Sequence, residues 1–132
     1  MLVIRKEQIE VLRDYMLKQF KDRMVAHLRR YFPEQSKSLS NEDLCETIQY
    51  GIEQAAAYEI VNEYDVIGYI NLMFTFGHDF DKNPSLPWSS RILNDNALYG
   101  SGRRKMDALY KEGEKHLSKV SGMENHDRER EP

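Results

Sequence analysis

From Ile9 to Phe32 a large apolar side chain recurs at every third or fourth position: Ile9, Leu12, Met16, Phe20, Met24, Leu28 and Phe32. In an α-helix that spacing gathers the side chains on one face, whereas in a strand it scatters them over both. The spacing predicts one long helix over residues 5–32, with this row as its core face. Tyr15, Leu17, Val25 and Tyr31 widen the stripe, and the charged residues lie mostly off it. Asp14 and Lys18 form an i,i+4 pair of the favourable order, worth a few tenths of a kcal/mol. Pro33 ends the helix, because the residue before a proline disfavours the α region.

Two further helix starts are spelled out in the chain. Ser40 is a good N-cap with Asp43 three residues on, and Leu39 and Leu44 flank the cap as a hydrophobic staple. Leu44, Ile48, Ile52 and Ala55 then line one face. Gly51 and Ala55–Ala57 are small enough to let another helix approach. The same signal returns at Asn62, with Asp65 and the pair Val61 and Val66. The helix that follows, about 63–80, is apolar nearly all round, interrupted only by Asn71 and Thr75. Such a helix is central in a bundle, or it presents one face to a partner; a central position is expected here. Pro87 suits the first turn of a short helix carrying Trp88 and Ile92 on one side. Residues 94–102 read as a loop and 103–119 as a last helix, in which Gly113 costs roughly 1 kcal/mol relative to alanine. Residues 121–132 hold no apolar residue but Met123 and read as a disordered polar tail. No alternating strand pattern occurs. The expected fold is all-α: a compact bundle of four to five helices with one long N-terminal helix, in a single domain over 1–120.

Composition narrows the function classes. Hydrophobic residues at 40% and aromatics at 11% place the chain among globular proteins. A single cysteine, Cys45, excludes an internal disulfide and fits a reducing compartment. The opening MLVIRKEQ is too short an apolar run for a secretory signal, and no run approaches the roughly 18 residues of a membrane span. A soluble cytoplasmic protein is expected. The net charge of −3 conceals a pattern: residues 1–33 carry +4, 34–81 carry −9, 82–120 carry +4 and 121–132 carry −2. Opposed charge blocks suit a protein partner. Nucleic acid is not expected, because no basic stripe is paired with stacking aromatics.

The segment FGHDFDKNPSLPW, 76–88, holds most of the residues that could carry chemistry. Asp79, Asp81 and Asn83 have the spacing that opens a calcium loop. Pro84 and Ser90 stand where such a loop needs a glycine and a bidentate glutamate, so the motif fails. The adjacent His78 and Asp79 match the pair used by helical metal-dependent phosphohydrolases. That chemistry needs a further histidine and aspartate, for which His27 and Asp107 are the only tidy candidates. Cys45 lies among Glu42, Asp43 and Glu46, whose charge makes a thiol a poor nucleophile. Gly100-Ser101-Gly102 before Arg103-Arg104-Lys105 lacks the spacing of a phosphate loop. The segment therefore reads as structural, and no catalytic residue, cofactor site or metal site is assigned.

The stretches YGIEQAAAYEI (50–60), YDVIGYINLMFTFGHDFD (64–81) and LPWSSRIL (86–93) resemble small helical bacterial proteins associated with type VI secretion and polymorphic-toxin loci. The resemblance covers about residues 1–110. It implies a helical accessory protein, an adaptor or chaperone for a secreted effector or secretion component, and it assigns no functional residues. Together with the apolar third helix, the LPW turn and the charge blocks, the expected function is non-enzymatic protein binding, with Trp88, Tyr64, Tyr69 and Phe80 as contact residues. Homo-oligomers fit the same features. Two rival readings are an immunity protein that neutralises a cognate toxin, its acidic middle masking a basic site, and a metal-dependent hydrolase using His78 and Asp79.

Overall fold

The computed structural model describes residues 5–129, with side-chain surroundings through residue 120. The fold is all-α: six α-helices and one 3-10 turn, with no strand among the described residues. The chain forms two compact units, Met1–Gln54 and Ala55–Pro132, where the sequence suggests a single domain over 1–120.

In the first unit α1 runs Lys6–Tyr31. Its start is held by the Arg5 backbone N–H donating to Gln8 Oε1 at 2.8 Å. Its core stripe is shorter than expected. Phe20, Met24 and Leu28 are buried, but Ile9, Leu12 and Met16 are 38%, 52% and 58% exposed. Pro33 stops α1 and also opens a one-turn helix, α2 (Pro33–Ser36), since its fixed φ and missing N–H suit a first helical position. The Arg29 guanidinium fastens this corner by donating to the carbonyls of Ser36 and Leu39 at 2.7 and 2.8 Å, and to Asn41 Oδ1 at 2.9 Å.

Helix α3 (Asn41–Ala57) begins as its sequence indicates. The Asp43 N–H donates to Ser40 Oγ at 3.0 Å and the Ser40 N–H donates back to Asp43 Oδ2 at 3.3 Å. Two otherwise orphaned backbone donors are thereby satisfied, with aspartate in the usual glutamate place. Its last turn belongs to the second unit.

The second unit is built around α4 (Glu63–Phe76), which buries Val66, Tyr69, Ile70, Leu72 and Met73, as its near-uniform hydrophobicity predicts. Asn62 Oδ1 caps it by accepting from the Tyr64 N–H at 2.9 Å. The helix ends at Gly77, whose φ of +120° is open to glycine and strained for other residues. It therefore falls short of the expected residue 80, and Phe80–Lys82 forms a separate 3-10 turn. Helix α5 (Pro87–Asn94) packs on that turn and on α6 (Gly102–Glu129). Helix α6 runs to Glu129, past the expected end near 119 and into the segment 121–132 expected as a disordered polar tail; residues 130–132 lie outside the described residues. Lys105 is 2% exposed and ties this unit together, its Nζ donating to the Tyr58 carbonyl at 2.9 Å and Asn96 Oδ1 at 2.7 Å. No described helix is long and apolar enough to cross a membrane.

Candidate protein-binding surface

Four side chains of the segment 76–88, Phe80, Asp81, Leu86 and Trp88, are buried. Phe80 and Asp81 are each 1% exposed. The buried Asp81 carboxylate accepts from the Tyr58 hydroxyl at 2.6 Å, which offsets the cost of taking its charge out of water. The Ser89 hydroxyl lies 2.7 Å from the Phe80 carbonyl oxygen and 2.8 Å from that of Leu86, shares its one proton between them, and clips the loop to α5. The Phe80 ring packs 5.1 Å from that of Tyr69. Trp88 meets Phe76 edge-on at 5.5 Å and His116 at 6.3 Å.

These positions correct most of the expected contact set. Tyr69, Phe80 and Trp88 lie in the interior of the second unit, so they hold the fold and do not face a partner. An apolar helix and an LPW turn look the same in sequence whether their own chain or another covers them. Tyr64 alone of the four stays at the surface, 67% exposed.

Around Tyr64 the first turns of α4 and α6 present a preset group of side chains. The Arg103 guanidinium lies over the Tyr64 ring, 4.9 Å from its centre. Arg103 Nη1 is 3.5 Å from Asp65 Oδ1, and its Nε is 3.7 Å from Asp107 Oδ1. Asp65 is buried and turned to Arg103, away from the capping position its spacing from Asn62 suggested. Farther along the two helices, the Tyr110 hydroxyl bonds to the Asn71 side chain. Burial raises the Tyr110 pKa, the Asn71 bond opposes this, and the nearby Tyr64 and Asp65 add to the rise. An aromatic face, a cation and two carboxylates thus share one side of the second unit. The sequence singles out Tyr64 as an aromatic and Arg103 as part of a basic run, and gives no sign that the two meet. A cation and an aromatic 39 positions apart leave no local signal, because helix packing alone brings them together.

Other candidate chemistry is not assembled. His78 Nδ1 lies 3.7 Å from Asp79 Oδ1, both side chains more than half exposed. Among the described residues no three His, Cys, Asp or Glu side chains are grouped as a metal ion would need. Gly102, read above with an anion loop, serves packing: a Cβ there would fall 2.9 Å from the Glu59 carbonyl oxygen and 3.1 Å from Ile60 Cα. Cys45 is half-buried on α3.

Compared with known proteins, the chain matches no family model, no curated protein and no solved structure.

Proposed function

We propose that this protein binds another protein as an accessory of the adaptor or chaperone type, without catalysing a reaction. The observation that carries the reading is the exposed Tyr64–Arg103 pair, oriented by Asp65 and Asp107. Tyrosine and arginine are the residue types that most often dominate binding energy at interfaces. Holding them in place before the partner arrives reduces the ordering cost of association. The partner class is a secreted effector or a component of a secretion system, which rests on the resemblance of residues 50–93. Charge complementarity with the blocked pattern of the chain supplies selectivity.

The test is affinity capture from cells with tagged full-length protein, run beside Tyr64→Ala and Arg103→Glu variants of unchanged far-UV circular dichroism. The reading expects a defined protein captured by the wild type and at least tenfold depleted with either variant, the loss of about 1.4 kcal/mol or more. Equal recovery with wild type and both variants overturns the assignment of this surface.

A further inference from the structure

Between α5 and the middle turns of α6 lies a groove of about 770 Å³, within the size range of small-molecule sites. Its inner wall is aromatic. Trp88 lines it, set edge-on against Phe76 at 5.5 Å, and the half-buried His116 ring stands 6.3 Å from the indole and 5.8 Å from Phe76. These ring contacts fix the wall before a ligand arrives, which lowers the ordering cost of binding. The Trp88 Nε1–H is the one buried side-chain donor among the described residues that meets no acceptor. A ligand oxygen that reaches it forms a hydrogen bond that the chain itself does not supply.

The outer wall is cationic. Lys111, Lys115 and Lys119 line the groove at every fourth position, which sets them along one side of α6. Two carboxylates line it as well: Glu112, whose Oε1 lies 3.6 Å from Lys115 Nζ, and Glu114. With that pair balanced, Lys111 and Lys119 outweigh Glu114, so the groove favours negative charge. The lysine stems also carry apolar length that can cover a ring beneath their charged ends.

We infer that this groove binds a small organic anion, with a flat apolar ring against His116 and the edge of Trp88 and a carboxylate or comparable acidic group at the lysine row. An uncharged ring forgoes the lysines, and an inorganic anion forgoes the rings, so the two walls together select a ligand that carries both features. The inference is independent of the protein-binding reading: it uses none of the residues around Tyr64 and Arg103, and it holds whether or not a partner docks there.

Nuclear magnetic resonance of the ¹⁵N-labelled full chain tests it. The chain has a single tryptophan, so its one indole N–H signal is that of Trp88. The probe is 1-naphthoate. It is expected to shift that signal and the backbone amides of residues 111–119 saturably, with a dissociation constant below ~1 mM. The uncharged 1-naphthalenemethanol should bind at least tenfold more weakly. So should 1-naphthoate to the double variant Lys111→Glu, Lys119→Glu, with unchanged far-UV circular dichroism, since both side chains are exposed. No saturable shift up to ~5 mM naphthoate overturns the inference. So does an uncharged analogue that binds as well, or a double variant that binds like the wild type. Naphthoate shifts confined to the exposed N-terminal arm of α1, residues 5–19, overturn it too, because they would place the ligand on bare apolar surface outside the groove.

Discussion

The Trp88 indole is buried against Phe76 and His116, yet its Nε1–H meets no acceptor among the described residues. Two substitutions separate its opposing contributions. Trp88→Ala removes a large buried ring and should cost about 3–5 kcal/mol. Trp88→Phe keeps much of the ring and also deletes the orphan donor, whose burial costs about 1–3 kcal/mol, so its loss should be under half that of the alanine variant. Urea denaturation of both checks this, and equal losses would show that the orphan donor carries no penalty. Tyr110 supplies a pH dependence. Its pKa is raised chiefly by burial, so the folded chain holds this proton more tightly than the unfolded chain does. The stability this contributes is intact below the ordinary tyrosine value, roughly pH 10, and is lost as the pH rises past it. Urea midpoints should fall above that pH in the wild type and fall less steeply in Tyr110→Phe; parallel curves would remove Tyr110 as the source. At this scale the sequence is least legible. It shows that Trp88, Tyr64, Tyr69 and Phe80 are large and aromatic, and nothing in a residue's identity says which of them will be covered.

Helices were legible wherever a local rule decides them. The Ser40 and Asp43 cap, the Asn62 start and the Pro87 first turn all stand where their side chains can reach the backbone. The errors have physical causes. Steps of three and four are both compatible with one helix face, so the exposed and buried rows of α1 read as a single stripe; only the drift of strict four-residue spacing distinguishes them. The sequence puts the end of α4 too late because Phe80 is apolar and continues the run, while Gly77 in its interior looks tolerable. The backbone at Gly77, φ +120° and ψ +155°, is what ends the helix. A Cβ at Gly77 would meet nothing within 4 Å, so a substitution there reports conformation without steric crowding. Gly77→Ala should therefore destabilise by about 1–3 kcal/mol while leaving the packing of Phe76 and Phe80 unchanged. Denaturation with near-UV circular dichroism measures both. A neutral Gly77→Ala would mean that α4 can end by another route.

For the molecule as a whole, composition and periodicity were enough for the all-α class and the long first helix, and they gave no sign of two units. The boundary at Gln54 and Ala55 falls inside α3, with no proline, glycine cluster or polar linker to mark it. Burial is unequal between the units. Among the described residues, five of the buried hydrophobic ones, Phe20, Met24, Leu28, Leu44 and Ile48, belong to the first, and fourteen to the second. Amide protection follows buried contacts and shielded hydrogen bonds, so it should be graded along the chain. Amides of Tyr69, Ile70, Met73 and Leu109, each at most 3% exposed, should exchange only through the largest opening and be slowest. Those of Phe20–Leu28 should be intermediate. Residues 5–19 have regular helical hydrogen bonds but no buried side chain, and an isolated helix of that length is marginal in water; they should exchange within a few orders of magnitude of an unstructured chain. Hydrogen exchange read by mass spectrometry measures this order directly. Strong protection of residues 5–19 would mean that the arm is stabilised by contacts beyond its own helix, and that the burial of side chains does not set the order of opening along this chain.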